Sequence, residues 1–78
     1  MSQKNLMSES DLAALAKAYR LATGKDRTEV ANELAIARPT LIQAEENPER
    51  SLTKLRVRII EAYSPYKVSG PYFRLDPK

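Results

Sequence analysis

The stretch Arg27–Asn47, RTEVANELAIARPTLIQAEEN, leaves this 78-residue chain few ways to fold. Over Arg27–Leu34, the residues Val30, Ala31 and Leu34 share one helical face at i, i+1, i+4 spacing. Over Pro39–Glu46, Leu41, Ala44 and Glu45 share one face at i, i+3, i+4 spacing. Between the two runs sit Ala35, Ile36 and Ala37, with Ile36 as an apolar plug. Helices this short do not stand alone in water, because nucleation costs more than one or two turns return. They must pack on each other and on something further. The second, polar on its other side, then faces out.

A helix pair of this kind is the helix-turn-helix pattern. The flanking sequence supplies the helices it needs. Ser8 or Ser10 can cap a first helix, and Asp11, three residues after Ser8, makes a capping box. That helix runs to about Thr23, with Leu12, Leu15, Ala16, Tyr19 and Ala22 on one stripe, and Gly24 ends it. Asp26 caps the second helix, with Glu29 completing another capping box, and that helix ends at Leu34 or Ala35. Asn47-Pro48 closes the third, since asparagine tolerates a left-handed cap and proline cannot continue a helix. Ser51 is placed to cap a fourth helix running to about Tyr63, whose main stripe is Leu52, Leu55, Ile59, Ala62 and Tyr63. Val57 and Ile60 lie to one side of that stripe. They either complete the domain's own core or meet a partner.

The ends differ from this helical body, residues 8–63. Residues 1–7 are polar and expected to fray. Residues 64–78 hold Pro65, Gly70, Pro71 and Pro77, which rule out a long helix. Four of the chain's five aromatics, Tyr63, Tyr66, Tyr72 and Phe73, fall in its last 16 residues. Disordered tails are poor in aromatics, so this one is expected to dock. Val68 and Tyr72–Leu75 can form extended strands, with Ser69-Gly70-Pro71 as a turn or kink.

Charge and composition narrow the function. Residues 1–49 carry 6 basic and 8 acidic groups, whereas residues 50–78 carry 7 basic and 2 acidic. A basic second half suits a polyanion, although a solvated face is its commoner meaning. The chain has no histidine and no cysteine, hence neither the usual soft metal ligands nor the commonest general base. Two glycines in the whole chain cannot build a glycine-rich phosphate loop. No enzyme, metal or cofactor is therefore expected. The absence of cysteine suits a reducing cytoplasm, and no apolar run reaches membrane-spanning length.

The run Val30-Ala31-Asn32-Glu33-Leu34-Ala35-Ile36-Ala37-Arg38-Pro39-Thr40-Leu41-Ile42-Gln43-Ala44-Glu45 resembles the helix-turn-helix of the Cro/C1 phage-repressor family, whose pattern is roughly LAxxLGVSxxTIxxxE. Tyr19-Arg20, Gly24 and Asp26 also fall where that family has its leucine-arginine, glycine and helix-two cap, so the resemblance covers about Asp11–Tyr63. Two departures stand out. Ala35 replaces the turn glycine, which predicts a strained or differently closed turn. Ala37 replaces the serine cap of the recognition helix.

The resemblance implies an all-α, four-helix Cro/C1-like domain with an irregular or β-forming C-terminal tail, acting on duplex DNA. The second helix of such a pair presents its first residues to base edges in the major groove. Here those are Arg38, Pro39, Thr40 and Gln43. Arginine can pair with guanine and glutamine with adenine, each by two hydrogen bonds, while Thr40 can reach a phosphate or a thymine methyl. Arg27 sits where the family has a phosphate-binding glutamine, and Arg50, Lys54 and Lys25 are further backbone candidates. Arg20 and Glu45 match positions that form a buried or half-buried ion pair between the first and third helices in the family. One recognition helix reads few base pairs, so a homodimer on a palindromic site is expected, its recognition helices about 34 Å apart. Val57 and Ile60 together with Tyr66, Tyr72, Phe73 and Leu75 are the candidate dimer contact. The expected function is a small transcriptional repressor of phage or plasmid type in the bacterial cytoplasm. The alternatives are an antitoxin whose tail wraps a toxin partner, and a protein-interaction module that does not bind DNA.

Overall fold

A computed structural model describes residues 6–69 and 73–78. Along the chain these form β1 (Leu6–Met7), α1 (Glu9–Ala22), α2 (Arg27–Leu34), α3 (Arg38–Glu46), α4 (Thr53–Tyr63), β2 (Tyr66–Ser69) and β3 (Phe73–Pro77). The first two helices begin where their side chains can satisfy free amides. Ser8 Oγ accepts from the Asp11 amide at 3.2 Å, and Asp11 accepts from the Ser8 amide at 2.9 Å. Asp26 and Glu29 make the same reciprocal pair at 2.9 and 3.0 Å. Gly24, at φ 77°, turns the chain between α1 and α2.

The turn from α2 to α3 closes without glycine. Ala35 adopts the left-handed conformation, φ 57° and ψ 47°, at a cost of about 1–2 kcal/mol for a residue with a Cβ. In return its amide reaches Asn32 O at 3.2 Å, and the Ile36 amide reaches Ala31 O at 3.0 Å. Ala37 precedes α3 with no side-chain cap, and a proline in the first turn sets the helix start.

Two caps depart from expectation. Asn47 does close α3, its backbone N–H donating to the Gln43 carbonyl at 2.9 Å, but at φ −126°, ψ 85° and not in the left-handed conformation. Ser51 does not cap α4, which begins at Thr53 after Leu52 with no side-chain cap. The Thr53 hydroxyl donates instead to Glu9 of α1. Ala22 and Ala62, assigned to apolar stripes, are exposed. Ala13 and Arg20 on α1, and Arg56 and Ile60 on α4, take buried positions.

Leu12 and Ala16 of α1, Val30 of α2, Leu41 and Ala44 of α3, and Leu55, Ile59 and Ile60 of α4 form one core. The tail folds back over it as an antiparallel sheet of order β1-β3-β2. β3 pairs with β2 from Tyr66↔Pro77 to Ser69↔Arg74, and with β1 through Leu6↔Arg74 and Met7↔Phe73. The fraying expected over residues 1–7 therefore does not extend to Leu6 and Met7, which are held in the sheet. Met7, Val68, Phe73 and Leu75 are half-buried against the core. Among the described residues, no helix is long and apolar enough to cross a membrane.

This packing corrects the dimer-contact expectation at Ile60. Ile60 is fully buried inside its own chain, so it completes the core and is not a partner contact. Phe73 and Leu75 are spent largely on the same core, Val57 and Tyr66 are half-buried, and Tyr72 lies outside the described residues. Pairing of the tail with a second copy is also closed on the β2 edge. There the Val68 amide donates to Glu61 at 2.9 Å and the Tyr66 amide to Ser64 Oγ at 3.2 Å, which blunts the edge. Truncation after Ser64 removes Val68, Phe73 and Leu75, which are half-buried against the core, and burial of one such side chain is worth about 1.5–3 kcal/mol. A truncated chain is expected to lose at least that much in urea unfolding. A truncated chain of unchanged stability would show that the sheet does not cover the core.

Candidate functional site

The outward side of α3 and the start of α4 are the parts of the surface that the motif singles out. On α3, Leu41, Ala44 and Glu45 point inward and are buried, whereas Arg38 and Pro39 are exposed and Thr40 and Gln43 half-buried. Arg38 forms no side-chain hydrogen bond or ion pair with the described residues. Gln43 is held: its Oε1 accepts from Asn47 Nδ2 at 3.1 Å. The four candidate base-reading residues thus share the first turns of one helix, two of them fully presented.

The candidate backbone residues do not act as one set. Arg27 is turned inward, with Nε 3.0 Å from Glu45 Oε1 and Nη2 paired with Glu46. Its guanidinium is committed to two carboxylates, so the expectation that it reaches a phosphate is not met by this arrangement. Lys25 is committed as well. Its Nζ lies 2.5 Å from Glu33 Oε2 and 5.5 Å from the Tyr63 ring centroid. The Lys25 hydrogen bond, then that from Tyr63, holds the Glu33 carboxyl below its ordinary range. Burial, then the bond to Glu33, pushes the Tyr63 hydroxyl up to about 12.

Arg50 and Lys54 remain exposed. A groove of 490 Å³ joins Thr40 of α3 to Lys54 and Arg58 of α4, with Ile36, Leu52 and Leu55 in its apolar wall. Thr40 and Lys54, far apart in sequence, therefore border one surface. Arg58 was not singled out by the sequence pattern; its Nη2 donates to the Leu34 carbonyl at 2.9 Å at the end of α2.

Two buried guanidiniums set the pose of α3. Arg20 and Glu45 make a two-pronged pair, Nε to Oε2 at 2.6 Å and Nη2 to Oε1 at 2.9 Å. Their side chains are 6% and 0% exposed, which makes this a buried pair and not a surface one. Arg20 Nη1 also donates to the Lys25 carbonyl at 3.0 Å, so α1, the α1–α2 turn and α3 are tied at one point. Glu46 extends the cluster outward to Lys17 at 2.7 Å, and the Lys17 bond, then that of Arg27, lowers its pKa.

Arg56 of α4 is the second, and residue patterning missed it. It is fully buried. Its Nε donates to Ala44 O at 2.8 Å, Nη2 to Asn47 O at 2.7 Å, and Nη1 to Arg50 O at 2.9 Å and to Glu9 Oε1 at 2.6 Å. It thereby satisfies the Ala44 carbonyl, which the end of α3 otherwise leaves unpaired, and adds a second donor to carbonyls in the loop beyond it. The available signal was its place between Leu55 and Ile59, on the buried face of α4.

Comparison with family models, with curated proteins and with solved structures finds no match for this chain. The chemistry of the surface carries the functional argument.

Proposed function

We propose that the chain binds duplex DNA sequence-specifically, with α2 and α3 as a helix-turn-helix and α3 lying in the major groove, and that it acts as a small repressor by occluding a promoter. The observation that carries this reading is the division of α3. Its inner face is anchored through Leu41, Ala44 and the Glu45–Arg20 pair, while Arg38 and Pro39 at its first turn are exposed and Arg38 has no partner among the described residues. A rigidly anchored helix with an uncommitted arginine at its outward start is what base reading requires. Arg50, Lys54 and Arg58 flank it as cations for the phosphate backbone. Two copies on a palindromic site would supply the length of sequence that one helix cannot read. In this reading they meet through a surface other than Ile60.

Sites selected from a random duplex library test the reading. Arg38→Ala is expected to lose about 1–3 kcal/mol on the selected site and to relax the preference at one base pair, with little change on unrelated duplex. Equal losses on both duplexes would assign Arg38 to phosphate. Failure of the wild-type chain to enrich any sequence would remove the proposal.

A further inference from the structure

The side chain of Gln43 is oriented by its neighbours, and this deepens the reading of α3 as a base-reading helix, on which it rests. Asn47, one turn further along, accepts the Glu49 amide on its Oδ1 at 3.2 Å. That bond decides which way the Asn47 amide faces, because reversal would set its NH2 group against the Glu49 N–H, donor against donor. With Oδ1 so engaged, Asn47 Nδ2 is left to donate to Gln43 Oε1 at 3.1 Å. The Asn47 backbone N–H also donates to the Gln43 carbonyl at 2.9 Å, so the two residues are tied through main chain and side chain together. The Gln43 Nε2 amino group donates to no described residue, so both of its N–H groups are unengaged.

We propose that Asn47 is a positioning residue that holds the Gln43 oxygen on its own side, so that Gln43 reads DNA chiefly as a donor. A free glutamine pairs with adenine by accepting from N6 and donating to N7. Gln43 has its oxygen engaged by Asn47 and presents two N–H groups. The base edge that complements this is guanine, whose O6 and N7 are adjacent acceptors in the major groove. The adenine pairing open to a glutamine in general is thereby disfavoured at this position.

The isosteric variant Asn47→Asp tests the relay with the full-length chain. A carboxylate at residue 47 still accepts from the Glu49 amide, but offers Gln43 an oxygen where it had an N–H. The Gln43 amide then reverses, with Nε2 donating inward and Oε1 facing out, and favours an edge with a donor, adenine N6 or cytosine N4. Sites are selected from a random duplex library with wild-type, Gln43→Ala and Asn47→Asp proteins, and thermal melting checks that each is folded. The expected result is one base pair whose preference depends on Gln43, with guanine favoured over adenine by on the order of tenfold in wild type and that order reversed in Asn47→Asp. Wild-type selection of adenine at that pair overturns the proposal, as does the same base chosen by wild type and Asn47→Asp. If selection yields specific sites but none depends on Gln43, the relay fails while DNA binding stands. If no sequence is enriched, the reading of α3 fails and the relay with it.

Discussion

Arg56→Met is expected to lower stability by about 1–3 kcal/mol, because the buried carbonyl of Ala44 loses its donor, while the carbonyls of Asn47 and Arg50 keep the Arg50 and Leu52 amides. Methionine matches much of the volume, so little of this loss is cavity. Glu9, itself a third exposed, can turn to water and limits the electrostatic part. In a domain of this size each kcal/mol shifts Tm by roughly 4–8 °C, so the melting temperature should fall by at least about 4 °C. Arg56→Lys should recover only part of the loss. An ammonium keeps the charge but cannot span the separate acceptors that the planar guanidinium reaches. Melting of Arg56→Met within a degree or two of wild type would mean that Arg56 is not the clamp at the end of α3.

Glu45→Gln should cost about 3–5 kcal/mol, the range for breaking a buried ion pair by removing one partner. The amide cannot neutralise Arg20, and one of its two positions presents an N–H to a guanidinium that can only donate. Arg20→Met should cost less than Glu45→Gln, because Glu45 keeps Arg27 at 3.0 Å. That asymmetry separates the three-residue cluster from a simple pair. The double variant Arg20→Met/Glu45→Leu should regain part of the loss, since an apolar replacement leaves neither charge of the pair buried alone. Equal melting of all variants and wild type would contradict the buried geometry, and additive losses in the double variant would show that the two side chains are not coupled.

The features legible in the sequence are those settled within a few residues. Ser8 with Asp11 and Asp26 with Glu29 are three residues apart, and a capping box needs nothing further away. Gly24 and Ala35 likewise mark local backbone turns. Arg20 and Glu45 lie 25 residues apart, and no periodicity links them; only the resemblance to a known pattern suggested the pair. Arg56 was hidden because an arginine on a helix reads as solvated unless its acceptors are known, and three of those are carbonyls at the end of α3 and in the loop after it. Ser51 shows the same limit. It is a good capping residue by type, yet the loop between α3 and α4 is arranged around Arg56, which donates to the carbonyls of Asn47 and Arg50. The sheet lay furthest from view, since β1 meets β3 across nearly the whole chain and is two residues long. The tail aromatics signalled docking without saying on what, and the core of the same chain turned out to be the answer for Phe73. On the surface, Arg27 and Lys25 were plausible phosphate ligands by position, but the carboxylates that engage them come from other elements.

The central proposal is that α3 and the start of α4 form a polyanion-binding, base-reading surface. Its most direct test is the salt dependence of binding to a duplex of random sequence, followed by fluorescence anisotropy between about 50 and 200 mM salt. Log K is predicted to fall linearly with log salt. Arg50→Ala/Lys54→Ala is predicted to make the slope shallower by about 2, each lost phosphate contact removing about 0.9. Arg27→Ala, whose guanidinium is already paired with Glu45 and Glu46, is predicted to leave the slope unchanged. Absence of binding at the lowest salt, or binding that does not weaken as salt rises, would contradict the proposal.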